Sequence, residues 1–306
     1  MQWRGRRGSS NVEDRRGQTP SRGGFGLPGG FGRRPGGFPG GFPGSGSGRG
    51  VSLPRSKAGW VIFLIFVGVS LFAGSQYEGG APGASTGPLT QEDRDRGQFA
   101  SVVLADTEEV WADAFSNELG RRYEPPKLVL FSGAVQSACG GASAASGPFY
   151  CPLDEKAYLD TDFFDALDRR LGAGGDFAAA YVIAHEVGHH VQNELGVLKR
   201  AQRLKAGLGQ AEANAVQVKV ELMADCLAGV WAQKAQAKFG SLDEGDVDEA
   251  LNAASRIGDD TLQREAGRSV RPESFQHGTS QQRKSWFARG WNEGSIAACD
   301  TFARAP

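Results

Sequence analysis

Residues 58–75, AGWVIFLIFVGVSLFAGS, carry no charged side chain. A chain with such a run must bury it in protein or give it to a lipid bilayer. At 1.5 Å per residue, about 18 helical residues cover roughly 27 Å, close to the thickness of a hydrocarbon core. Trp60 and Tyr77 near its ends suit the membrane interfaces, and Arg55 and Lys57 flank one side. A cleaved signal peptide fits poorly, because such peptides lie at the extreme N-terminus. No globular sequence precedes the run to bury it as a core helix. The expectation is one N-terminal transmembrane helix.

The run divides the chain unevenly. Residues 1–57 are rich in Gly, Pro and Arg, with Glu13 and Asp14 as their acids. Such a stretch buries too little apolar surface to offset chain entropy and reads as a disordered basic tail. Its GGF and FPGG units are low-complexity rather than a specific nucleic-acid reader. Residues 76–90 are a Gly/Pro/Ser linker, and 91–306 have globular composition. The net charge of −1 hides this asymmetry. The positive-inside rule places the tail in the cytoplasm and the globular domain on the periplasmic or extracytoplasmic side.

Cysteine usage agrees with export. Cys139, Cys151, Cys226 and Cys299 all follow the apolar run, and no CxxC occurs. An even count suggests two disulfides. Of three pairings we favour Cys139–Cys151, closing a short Gly/Ala/Ser loop, with Cys226–Cys299 tying the C-terminus to a helix. Buried free thiols are the alternative.

Along the domain, Thr90 with Asp93 opens a helix to about Leu104, and Asp106 with Glu109 opens another to Gly120. Short strands follow at 127–131, 149–151 and 157–159. Thr161 is expected to cap a helix to about Gly172. From Asp176 to Leu195, Phe177, Ala180, Ala184, Val187, Val191 and Leu195 form one apolar stripe of a helix. Further helices are expected near 211–238, 245–257 and 279–291. Helices dominate and strands are few, so the fold class is α+β.

The apolar-striped helix carries His185-Glu186-Val187-Gly188-His189, the pattern HExxH. Residues four apart share a helix face, so both imidazoles can address one metal while Glu186 reaches a water beside it. This is the donor set of a zinc hydrolase, with two His ligands and a Glu general base. His190 points elsewhere. Catalytic zinc needs a third protein ligand, and no downstream HxxGxxH extension exists. Glu221-Leu222-Met223-Ala224-Asp225 offers two acids one turn apart beside an apolar face. Glu221 would complete the ligands, and Asp225 would accept the remaining N–H of a ligating imidazole. The alternative, an exposed acidic pair, sits badly with Val218, Leu222, Cys226 and Val230.

HEVGH followed by ELMAD resembles the gluzincin pattern. MQWRGRRGSSNVEDRRG, KLVLFSG, SACGGASAASGPFYCP, AYLDTDFF, SFQHGTSQQR and WFARGWNEG resemble the bacterial neutral zinc metallopeptidase family over nearly the whole chain. The resemblance implies a mainly helical, zincin-like metalloprotease domain with a small β region behind one membrane anchor, with Zn²⁺ as cofactor. In gluzincins a distant His or Tyr hydrogen-bonds the developing oxyanion. His277 is the candidate here, with Tyr158, Tyr150 and Arg283 as fallback donors; a capping or packing role for His277 is equally open. The strand around 157–159 is a candidate to pair with an extended peptide. The expected activity is hydrolysis of peptide bonds in envelope proteins or peptides through a zinc-activated water. The rivals are a non-catalytic zinc-stabilised scaffold for a partner protein and a zinc hydrolase of non-peptide amides.

Overall fold

The computed structural model describes residues 1–17, 88–143 and 146–303. The apolar run 58–75 lies outside these residues, as do most of the tail and linker. Among the described residues no helix is long and apolar enough to cross a membrane.

Residues 1–17 correct the expectation of a tail disordered throughout. Strand β1 (Val12–Asp14) pairs in parallel with β2 (Lys127–Phe131), Val12 opposite Leu128. Arg6 grips the Asp106 carboxylate with two bonds of 2.7 Å, and Trp3 stands edge-on to Phe99 at 5.5 Å. The Arg16 guanidinium donates to the Asp93 carbonyl. Averaging over a Gly/Pro-rich window hides a short segment whose charges have specific partners far along the chain.

One of those partners also merges two expected helices. Helix α1 runs unbroken from Gln91 to Leu119. Thr90 caps it as expected, its Oγ1 accepting from the Asp93 N–H while the Asp93 carboxylate accepts from the Thr90 N–H. Asp106, expected to open a second helix, is buried and committed to Arg6. With its carboxylate taken, nothing interrupts the i→i−4 ladder.

The main sheet has the order β1-β2-β6-β5, with β5 (Phe149–Cys151) antiparallel to β6 (Lys156–Asp160) and the other pairs parallel. A hairpin of β3 (Ala134–Ser137) and β4 (Gly140–Ser143) occupies the small-residue region expected to be a loop. Period-two alternation divides the sheet's apolar residues. Leu128, Leu130, Ala157 and Leu159 join the helical core, whereas Val129, Phe131, Phe149 and Tyr158 form a second cluster with Cys151. Strand β6 lies between β2 and β5. It therefore has no free edge for a peptide, and that expectation passes to β5, which ends the sheet.

Helix α2 (Phe163–Arg169) starts from Asp162 without a side-chain cap bond, so Thr161 is not its cap. Helix α3 (Asp176–Glu194) is buried on almost every side, well beyond the single stripe expected. It packs against α5 (Gln210–Phe239), α6 (Asp246–Arg256), α1 and the sheet. Two short helices stand outside the expected set, α4 (Val197–Lys205) and α7 (Asp259–Glu265). Helix α8 (Ser280–Glu293) completes the bundle, opened by Thr279 with Gln282.

Close helix contacts set the spacing on which the site depends. A Cβ on Gly188 would lie 3.1 Å from the Ala224 carbonyl oxygen, so glycine lets α3 approach α5 closely. Gly229 and Gly290 face each other's helices so tightly that a Cβ on either would collide with backbone. This pins α8 to α5. Both favoured disulfides are formed: Cys139–Cys151 closes the hairpin onto β5, and Cys226–Cys299 ties α5 to the chain's end.

Candidate metal centre

His185, Glu186 and His189 lie on α3, and Glu221 and Asp225 on α5, at the level where Gly188 brings the two helices together. One oxygen of Glu221, Oε2, lies 3.3 Å from His185 Nε2 and 3.6 Å from His189 Nε2. Ligand atoms of the three residues fall within 4.8 Å of one another. Zinc–ligand bonds of about 2.0–2.1 Å in a tetrahedron place neighbouring ligand atoms about 3.3–3.4 Å apart. Spacing and donor types therefore fit zinc held by His185, His189 and Glu221.

Each of these side chains is held by a partner on its far side. Asp225 Oδ1 lies 2.9 Å from His185 Nδ1. An ionised carboxylate only accepts, so Nδ1 keeps a proton, and in the neutral ring Nε2 presents its lone pair to the Glu221 side. Asp225 also accepts from Tyr181 Oη at 2.6 Å and from Arg283 Nε and Nη2 at 2.8 Å each. Glu221 Oε1 accepts from Gln217 Nε2 at 2.8 Å, and Gln217 Oε1 accepts from Lys205 Nζ at 2.8 Å. On His189, Nδ1 lies 2.9 Å from Gln192 Oε1, while Gln192 Nε2 donates to the Val220 carbonyl at 2.6 Å. The motif reading anticipated Asp225. It missed Tyr181, Gln192 and Gln217, although the four-residue steps from Tyr181 to His185 and from Gln217 to Glu221 were available as a signal.

Burial and charge pull against each other throughout. Burial alone would lower the His185 pKa, but Asp225 and Glu221 outweigh it and raise the value to about 9. Burial alone would raise Asp225, yet Arg283 and His185 hold it at about 2. Glu221 is held well below the usual carboxylate range by the two imidazoles, against the effect of burial. Glu186 behaves differently. Burial raises it, the imidazoles oppose that only in part, and among the described residues nothing hydrogen-bonds its carboxylate.

Glu186 lines a cavity of about 260 Å³ that also exposes His185, His189, Glu221 and His277. Its walls are largely apolar, with Phe149, Phe163, Val182, Leu198, Val220 and Ile257 among them. Residues 146–150 of the β5 side line it too, so the end strand of the sheet borders the metal centre.

His277 reaches this cavity from the turn before α8. Its Nδ1 lies 3.1 Å from Asp259 Oδ1, and the backbone N–H groups of Gln276, His277 and Gly278 all donate to Asp259 Oδ2. Asp259 thus holds both the turn and the ring, leaving Nε2 unclaimed among the described residues; it raises the His277 pKa against the effect of burial. Asp259 was another residue the motifs did not signal.

The fallback donors are otherwise engaged. Tyr158 Oη donates to Asp154, and the Arg283 guanidinium is bound to Asp225. Tyr150 Oη lies 3.0 Å from His190 Nδ1, and His190 Nε2 lies 2.7 Å from the Glu124 carbonyl. A carbonyl only accepts, so His190 carries its proton on Nε2 and accepts a hydrogen bond from the Tyr150 hydroxyl on Nδ1. His190 is a tie between β5 and α3, not a ligand. A second acidic group, Asp176, Asp246 and Glu249, lies against the Met1 ammonium group, 2.6 Å from Asp176. A cation is already in place there.

The family described as "Putative neutral zinc metallopeptidase" matches residues 1–302. The Escherichia coli K12 protein YpfJ, named only as uncharacterized, is 44% identical over the full length of both chains. Rv2575 of Mycobacterium tuberculosis, also named as uncharacterized, is 46% identical across 63% of this chain and 68% of its own. No solved structure matches.

Proposed function

Because the chain belongs to the neutral zinc metallopeptidase family, we propose that it hydrolyses peptide bonds, with Glu186 as general base and His277 as oxyanion donor. The observation that carries this reading is the content of one cavity. It holds three ligands at zinc spacing, a buried carboxylate that no described group hydrogen-bonds, a histidine with a free Nε2, and the end strand of a sheet.

Bound by His185, His189 and Glu221, zinc would polarise a scissile carbonyl and acidify water. The remaining work falls to side chains. Glu186 has a raised pKa and no competing donor, which suits it to take a proton from attacking water and deliver it to the leaving amine. His277 Nε2 donates to the carbonyl oxygen as negative charge develops, with Asp259 holding the ring. Strand β5 offers backbone groups to an extended chain, which favours a peptide over other amides. A zinc-stabilised scaffold would have no use for Glu186 in the cavity.

The two disulfides suit an oxidising compartment, so the substrates are envelope proteins or peptides, and the apolar run 58–75 attaches the chain to the membrane. The test is Glu186→Gln in the full chain, assayed on a peptide library with zinc content measured in parallel. Retained zinc with cleavage reduced by about 10²–10⁴-fold is expected. Unchanged cleavage would remove Glu186 from the reaction, and absence of cleavage by the wild type would count against the peptidase reading.

A further inference from the structure

Two of the three ligands have ionisable or charge-backed partners, Asp225 for His185 and the Gln217–Lys205 pair for Glu221. His189 has a neutral one. Gln192 is fully buried between the ring and the backbone of α5. An amide can be turned either way, so its direction has to be deduced from its neighbours. The Val220 carbonyl can only accept, so the atom 2.6 Å from it is the amide nitrogen. That leaves Gln192 Oε1, an acceptor, 2.9 Å from His189 Nδ1. The proton of a neutral His189 is therefore on Nδ1, and Nε2 is free to ligate.

We propose that Gln192 is a positioning residue, which selects the ligating tautomer of His189 and anchors that choice to the backbone beside Glu221. This inference rests on the zinc site proposed above. Val220 immediately precedes Glu221, so one amide fixes the separation of two ligands on different helices. Without it, the His189 ring would be free to carry its proton on Nε2, the atom that must be bare.

The experiment measures zinc affinity of the chelator-treated full chain by competition with a fluorescent chelator. Gln192→Met keeps the bulk and loses both hydrogen bonds. Gln192→Glu loses the bond to Val220 but still accepts from His189 Nδ1–H. Gln192→Met is expected to bind zinc about 10–100-fold more weakly, with Gln192→Glu recovering most of the loss. Equal weakening in both variants would show that only the Val220 bond matters, and wild-type affinity in Gln192→Met would also overturn the proposal. A wild type that binds no zinc would instead refute the site itself.

A different observation carries a second inference. The Ser9 N–H donates to the Ser101 carbonyl at 3.0 Å, Asn11 Nδ2 to Glu108 at 2.8 Å, and β1 adds to the sheet beside β2. Arg16 packs against Gly97 near the start of α1, so Gly17 and Thr90 lie at one end of the same body. A single membrane crossing between them would put β1 and β2 in different compartments, and backbone pairing cannot pass through a bilayer. We infer that residues 1–17 share the compartment of the metal centre, in place of the opposite-sided arrangement that charge alone suggested.

Arg4 is 75% exposed and Lys199 is exposed as well, which makes both suitable for labelling. Arg4→Cys and Lys199→Cys, in the full chain, would be treated with a membrane-impermeant thiol reagent in intact spheroplasts and after lysis. Matching behaviour at the two positions is expected. Labelling of one with protection of the other until lysis would overturn the inference.

Discussion

Arg283→Met tests the charge network behind the metal centre. Arg283 and Asp225 are both fully enclosed, with side-chain exposures of 2% and 0%. Two bonds of 2.8 Å join them, and Arg283 also reaches Tyr181 Oη at 3.2 Å. Removing the guanidinium leaves a buried carboxylate supported by Tyr181 and His185 on Oδ1, with Oδ2 stripped of its donor. Breaking such a pair from one side costs about 3–5 kcal/mol, because the remaining charge stays desolvated. The cost appears as a lower denaturant midpoint in zinc-free protein, with little change in the slope of the transition.

Neutralising the stranded charge should recover part of this. In a double-mutant cycle, Arg283→Met with Asp225→Asn is expected to lose less than the sum of the single losses, with a coupling of about 2–3 kcal/mol. Zinc affinity should also become more sensitive to acid in Arg283→Met, since Arg283 helps to hold Asp225 at about pKa 2. A single-variant loss within the roughly 0.5 kcal/mol of ordinary surface changes would refute the reasoning.

Three further outcomes are expected. His277→Ala should retain zinc and lose about 10²–10³-fold in kcat, whereas an unaltered kcat would return His277 to a packing role. In zinc-free protein the His185 pKa is raised from 6.5 to about 9, so its stabilisation is full below pH 6.5 and is lost as pH rises through 9; thermal melts across that window should fall, and a flat profile would contradict the assignment. The disulfides close loops with sequence separations of 73 and 12 residues. Paired Cys→Ala changes should therefore cost about 4 kcal/mol at Cys226–Cys299 and about 3 kcal/mol at Cys139–Cys151, and a reversed order in chemical denaturation would show that native packing outweighs chain entropy.

Much of the centre was legible because helical spacing is a local property. His185 and His189 share a face by their four-residue step, as do Glu221 and Asp225, and apolar neighbours turn both faces inward. Thr90 with Asp93 announced a helix start for the same reason. Asp106 with Glu109 gave an equally good local signal and failed, because Arg6, a hundred positions away, claims the carboxylate. Strand β1 was hidden in the same way: its partner β2 is distant in sequence, and the intervening composition belongs to another kind of segment.

What the sequence determined, then, was which atoms point the same way along one helix: two imidazoles with an acid between them, and two carboxylates one turn apart. Tertiary structure alone decided which helices meet and what stands behind each ligand. Gly188 sets the approach of α3 to α5, Gly229 and Gly290 seat α8 and its Arg283, and the turn before α8 brings His277 with Asp259 to the cavity. A hydrogen-bond partner is chosen by distance in space, and between distant segments only the packing of a closed core fixes that distance.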